Sequence, residues 1–176
     1  MSSATSNAYR LHHSAAADLD PATLYRILRL RVDVFVVEQA CPYPELDGRD
    51  LESTTHHWWF TESPSVSDEV DGTGSPVAAT LRVMQDGVGP DGRPEFRIGR
   101  VCTERAHRGM GLTAQLLTAA LEDIGEHVCR IEAQTYLTQM YAKFGFRVNS
   151  DEYLEDGIPH VSMVRDGAGP AETGVS

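Results

Sequence analysis

One hexapeptide carries the most specific chemistry in this chain: Arg108-Gly109-Met110-Gly111-Leu112-Thr113, set between a strand-like stretch and the strongest amphipathic run. Two glycines let a backbone turn tightly and approach a ligand without side-chain collision. The opening N–H groups of a helix lack intrahelical acceptors, and the helix dipole favours an anion there. Arg105 and Arg108 add positive charge nearby. On the turn alone two readings stay open: a phosphate or diphosphate cradle, and a plain loop-to-helix turn with surface arginines. Gly109, Gly111 and Ala114 also fit Gly-x-Gly-x-x-Ala, a dinucleotide fingerprint in which the strand runs straight into the first glycine. Here Glu104 to Arg108 intervene, and three strands and a helix come first, so that reading is set aside. No Gly-Lys-Ser/Thr is present, which excludes a Walker-type phosphate loop.

About thirty residues on lies Tyr141-Ala142-Lys143-Phe144-Gly145-Phe146. A tyrosine on a short helix before a Gly-aromatic turn is either a packing aromatic or a proton donor, and alone it does not decide.

The elements that must position these groups follow from periodicity. Tyr9 to His13 reads as a strand. Asp20-Pro21 is a helix start, with Asp20 as N-cap and Pro21 at the first helical position. Leu24, Ile27, Leu28, Val32 and Phe35 form its apolar face, and the helix ends near Glu38-Gln39 because Pro42 and Pro44 cannot continue it. Cys41 to Glu52 is a turn-rich loop. His57 to Phe60 reads as a strand with one indole of Trp58-Trp59 in the core and the other lining a groove. Residues 62–75 form a solvated connector. Pro76 to Gln85 is a strand, Asp86 to Pro94 a hairpin loop, and Phe96 to Thr103 a strand. Leu112, Leu116, Leu117, Ala120, Leu121 and Ile124 define the clearest helix. Val128 to Gln134 is a strand and Tyr136 to Phe144 a helix closed by Gly145. Phe146 to Tyr153 and His160 to Val164 are strands around an Asp156-Gly157 turn. The expected class is a mixed α/β (α+β) domain over 9–165, with a flexible N-terminus at 1–8 and a disordered tail at 166–176.

Composition narrows the function. With 176 residues, 41% hydrophobic and 23% charged, the chain suits one globular domain. Fifteen basic against 26 acidic residues give a net charge of −11 without a basic run, a poor match to nucleic acid. No apolar run approaches the roughly 20 residues of a membrane span, and Met1 to Asn7 lacks the apolar core of a secretory signal. Cys41, Cys102 and Cys129 are odd in number and form no CxxC pair, so three reduced thiols and a cytoplasmic setting are expected, with no metal site. His12-His13 and His56-His57 are adjacent on strands and face opposite ways, so neither pair makes a two-ligand metal site.

Together the glycine turn, the tyrosine cluster and the element order resemble the GNAT superfamily of acyl-CoA-dependent N-acetyltransferases. Its motif has the form Arg/Gln-x-x-Gly-x-Gly/Ala. Here Thr113 takes the last position and still supplies an N–H, while its hydroxyl is free to add a bond. The stretches Phe35-Val36-Val37-Glu38-Gln39, Cys41-Pro42-Tyr43, Asp47-Gly48 and Glu155-Asp156-Gly157-Ile158-Pro159-His160 look like the ElaA subfamily.

The resemblance implies a mostly antiparallel seven-stranded sheet flanked by helices and splayed between the fourth and fifth strands. It implies acetyl-CoA as cosubstrate, no metal, and a small-molecule or peptide amine as acceptor, attacked directly in a ternary complex. An acidic body suits a cationic amine, and exposed edge strands suit a homodimer. Carried over, Arg108, Gly109, Met110, Gly111, Leu112 and Thr113 cradle the diphosphate, and Val101, Cys102 and Thr103 bind the pantetheine arm. Tyr141 contacts the coenzyme and acts as general acid. Candidate bases are Glu38, Asp47, His56, His57, Glu132, Asp156 and His160; the fold's usual acceptor site favours Glu38 and His160. The alternatives are a non-catalytic acyl-CoA-binding regulator of the same fold, and an acyl-homoserine-lactone-synthase-like enzyme, whose hallmark N-terminal pattern is not evident.

Overall fold

The computed structural model describes residues 8–63 and 74–167. Most of the expected flexible start, the middle of the expected connector (64–73) and the tail from 168 onward lie outside the described residues.

The strands are β1 (Tyr9–Ala15), β2 (Thr55–Glu62), β3 (Val77–Val88), β4 (Pro94–Thr103), β5 (Cys129–Gln134), β6 (Arg147–Val148), β7 (Tyr153–Glu155) and β8 (Ile158–Arg165). The helices are α1 (Pro21–Val32), α2 (Leu112–Ile124) and α3 (Thr138–Ala142). The sheet has the order β1-β2-β3-β4-β5-β8-β6, with β7 also on β8. The ladders β1–β2, β2–β3, β5–β8, β6–β8 and β7–β8 are antiparallel. The β4–β5 ladder is parallel and joins only Phe96 to Cys129 and Arg97 to Arg130. A parallel pair needs a long crossover, and the segment holding α2 supplies it.

Among the described residues eight strands form where the sequence suggests seven. Asn149 N–H still bonds the Ser162 carbonyl, at 3.0 Å. The Ser162 N–H, however, donates to the Ser150 hydroxyl at 2.9 Å. A side chain has replaced a backbone acceptor, so the expected strand from Phe146 to Tyr153 splits into β6 and β7.

Backbone contacts divide the chain into two compact units, Met1–Met84 with Gly99–Ala120, and Gln85–Ile98 with Leu121–Ser176. In the first, Asp20 caps α1 by accepting from Thr23 N–H at 2.9 Å, with Pro21 behind it. The helix continues as a π-helix over Asp33–Glu38, where the Gln39 N–H bonds Val34 O. The buried face of α1 is Thr23, Ile27, Leu30 and Arg31, whereas Leu24, Leu28, Val32 and Phe35 are half-buried. The face is rotated from its expected bearing because Arg31 turns inward to buried carboxylates. Ile27, Leu30, Val34, Trp59, Val77 and Cys102 build one core cluster. Both indoles are buried: Trp59 lies in that cluster and Trp58 stacks on His13 at 4.0 Å, so neither lines an open groove.

In the second unit, Cys129, Ile131 and Ala133 alternate inward along β5. The Asp156-Gly157 turn joins β7 to β8 as a two-residue hairpin, with φ of 48° and 81°, the geometry a type I′ turn requires.

Candidate active site

Past β4, Glu104 caps a short turn at Arg105–His107, its carboxylate accepting from Ala106 N–H at 2.8 Å. Gly109 and Gly111 then take φ of 78° and 76°. Side chains are rare there, and a substitution costs roughly 1–2 kcal/mol in backbone energy. Crowding is not the reason for glycine. A Cβ on Gly109 would meet no atom within 4 Å, and one on Gly111 only the Gln115 amide at 4.0 Å. The space beside Gly109 is open.

The Gly111 carbonyl accepts from Gln115 N–H at 3.1 Å, making Gly111 the cap residue of α2. Having no side chain, it cannot bond the leading amides, so those of Leu112, Thr113 and Ala114 are directed out of the helix. A diphosphate fits this arrangement: open space, outward donors and the positive end of a helix dipole. The Thr113 hydroxyl lies 3.0 Å from that of Thr103 and so ties the first turn of α2 to the end of β4.

Arg108 is already engaged. Its guanidinium donates to both Glu38 oxygens, at 2.6 and 2.8 Å, and its Nε to Thr103 O at 3.1 Å. The Arg108 bonds hold the Glu38 carboxyl below its ordinary pKa. Glu38 is therefore ionised and a weaker base than a free glutamate. At 42% and 35% exposure the pair adds little stability.

On β4, Cys102 is buried, and burial pushes its thiol up to about 12, so thiolate is scarce at neutral pH. Val101 and Thr103 are half-buried. Arg100 before them has φ of 55°, a left-handed residue inside a strand. Such a conformation costs an ordinary side chain about 1–2 kcal/mol.

Sequence reasoning missed a charged network in the same unit. Arg31 bonds Glu45 and Asp50 at 2.5 Å each, and Arg82 bonds Asp47 at 2.7 Å and Asp50 at 2.9 Å. Arg31, Arg82, Glu45 and Asp50 are at most 7% exposed. With Arg100, three guanidiniums balance three carboxylates. Burial opposes the charge on Asp50, but hydrogen bonds and charge from Arg31 and Arg82 outweigh it and lower its pKa. His57, fully buried, bonds Asp50 O at 3.0 Å, and burial holds its pKa low. The available signal was Arg31 itself, four residues after Ile27 and hence on the helix's buried face.

The other candidates occupy defined places. Asp47 belongs to the network, and His56 Nδ1 lies 2.8 Å from His13 Nε2. In the second unit Glu132 accepts from Ser162 Oγ at 2.6 Å, from Arg97 at 2.7 Å and from the Tyr153 hydroxyl. Asp156 sits in its hairpin turn. His160 Nδ1 is 2.8 Å from Ile158 O. A carbonyl only accepts, so Nδ1 is the donor in this bond, and Nε2 lies 3.7 Å from a Glu155 oxygen. Tyr141, on α3, is buried and meets Phe146 edge-on at 6.2 Å. Burial, then Tyr136, raises its phenol pKa. Gly145 takes φ of 85° and ends α3 as expected.

Among the described residues, no cluster of three or more His, Cys, Asp or Glu is placed to hold a metal ion, and no helix is long and apolar enough to cross a membrane.

Comparison with known proteins places the chain in a family. The acetyltransferase (GNAT) domain family matches residues 80–166. UPF0039 protein Rv2851c of Mycobacterium tuberculosis is 55% identical over 157 residues, 89% of this chain and 93% of that one. Protein ElaA of Escherichia coli is 36% identical over 162 residues, 89% and 94% of the two chains. Its crystal structure superposes with a TM-score of 0.74 at 30% identity, covering 90% of this chain and 99% of that one. An acyl-CoA N-acyltransferase from Pseudomonas aeruginosa gives 0.74 at 38% identity, covering 89% and 99%. On the family match and these relatives, the chain belongs to the GNAT acetyltransferase family, beside ElaA.

Proposed function

We propose that the protein transfers an acetyl group from acetyl-CoA to an amine by direct attack, both substrates being bound at once. The observation that carries this reading is the amino end of α2, where Gly111 takes the cap position, Gly109 and Gly111 take positive φ, and a Cβ on Gly109 would meet no atom within 4 Å. The amides from Gly109 to Thr113 hold the coenzyme's diphosphate. The backbone of Val101, Cys102 and Thr103 holds the pantetheine arm. The Val101 N–H polarises the thioester carbonyl and stabilises the oxyanion as the amine nitrogen bonds to carbon.

When the carbon–sulfur bond breaks, the thiolate needs a proton, since a thiol has a pKa of about 8.5. Tyr141 gives it; a buried phenol is fully protonated at neutral pH. The amine must lose one proton, and His160 takes it at Nε2, the nitrogen its Ile158 bond leaves basic. Glu38, paired with Arg108, holds that arginine at the turn. Cys102 forms no acyl-enzyme, in keeping with its raised thiol pKa.

Calorimetric titration with coenzyme A, and thiol release from acetyl-CoA across a panel of amines, test the reading. Binding with amine-dependent release is expected. Binding without release on any amine would favour the non-catalytic regulator, and absence of binding would overturn both.

A further inference from the structure

The bend at Arg100 has no local cause. Arginine gains nothing from a left-handed backbone, unlike glycine or asparagine, so contacts must hold it there. The guanidinium Nε lies 2.9 Å from a Glu45 carboxylate oxygen. One terminal nitrogen donates to Glu45 O at 3.2 Å and to Asp47 at 3.3 Å. The group also sits 5.9 Å from the ring centroid of Tyr43, whose hydroxyl donates to Glu45. Neither carboxylate is loose: Glu45 is gripped by Arg31 and Asp47 by Arg82. The loop between α1 and β2 thereby fastens one point of β4, immediately before Val101.

That point matters for geometry. The peptide between Arg100 and Val101 carries the Val101 N–H, and its plane is set by the torsions on either side. Relaxing Arg100 to extended backbone would rotate this amide. We propose that Arg100 is a positioning residue whose guanidinium, latched by Glu45 and Asp47, fixes the bend in β4 and thereby aims the Val101 amide at the thioester oxygen. This role rests on the acyltransferase reading above.

The test uses the full chain and the variants Arg100→Gly, Arg100→Lys and Asp47→Asn. Glycine tolerates the bend but has no latch, so it separates backbone permission from side-chain restraint. For Arg100→Gly, a fall in turnover of roughly 10- to 100-fold is expected, the scale of a misaimed oxyanion donor. Coenzyme A affinity and Tm should be retained. The amide resonance of Val101 should move in the ligand-free variant, while those of Gly109 and Gly111 should respond to coenzyme A as in the wild type. Arg100→Lys keeps charge without the planar fork and should fall between; Asp47→Asn should shift Val101 in the same direction as Arg100→Gly. Wild-type turnover with an unmoved Val101 resonance in Arg100→Gly would overturn the proposal. So would a joint loss of turnover, coenzyme affinity and Tm, which marks general damage. Failure of the wild type to bind coenzyme A removes the acyltransferase reading and this role with it, and is seen before any variant is made.

Discussion

The helices α1 and α2 begin in opposite ways. Asp20 closes α1 with its own carboxylate, and Pro21 removes a further donor. Gly111 leaves α2 with no side chain to spend on its amides, and beside it a Cβ on Gly109 would meet no atom within 4 Å. Their charged partners differ likewise. Arg31, near the end of α1, lies 1% exposed between two carboxylates, whereas Arg108, before α2, makes an exposed pair with Glu38. A self-capped start and buried charge secure the fold; a glycine start and an exposed ion pair contribute little to it.

The largest expected effect comes from breaking the buried side. Arg31→Ala leaves Glu45 and Asp50 short of a partner inside the protein and should destabilise it by about 3–5 kcal/mol in denaturant unfolding. Arg108→Ala should change unfolding little and weaken coenzyme A binding instead. Next, Gly111→Asp would place a carboxylate at the amino end of α2, at a backbone cost of roughly 1–2 kcal/mol for its positive φ. An anion would then stand at the proposed diphosphate site, and the dissociation constant for coenzyme A should rise roughly 100-fold, at about 1.4 kcal/mol per tenfold, read by calorimetry. Far-UV circular dichroism should be unchanged.

Acid sharpens the contrast further. The folded pKa of Asp50 and of Asp47 is depressed by their arginines, although burial opposes it. Their stabilisation is therefore complete above the unfolded value of about 3.9 and is lost as pH falls through the folded values. Unfolding free energy should begin to fall below about pH 6.5, where the unfolded chain protonates His57 and the buried native imidazole stays neutral, and drop more steeply below about pH 4 as Asp47 and Asp50 lose their charge. The smallest effect is Asp20→Ala, which should lower Tm by roughly 2–4 °C and leave coenzyme A binding untouched.

How much of this was legible varies by residue type. The six apolar positions of α2, the Asp20-Pro21 start, the Gly145 stop and the Asp156-Gly157 turn were readable, because periodicity and turn chemistry act locally. The glycine turn was readable as an anion cradle only beside the tyrosine cluster and the element order. Arg31 and Arg82 were not, since a charged residue is ordinarily exposed and only its distant partners make burial tolerable. Ser150 splitting a strand and Arg100 bending another likewise depend on atoms supplied from elsewhere in the chain. So does the commitment of Arg108 to Glu38, seventy residues away.

The widened coil over Asp33–Glu38 has a consequence for chain length. Six residues there wind with a longer repeat than α1 does. Deleting any one of them would let ordinary helix run on at about 100° per residue and swing residue 38 round the axis, out of phase with the guanidinium it now meets. The spacing between Val32 and Gln39 is thus a measured gauge, intolerant of indels even where individual side chains are replaceable.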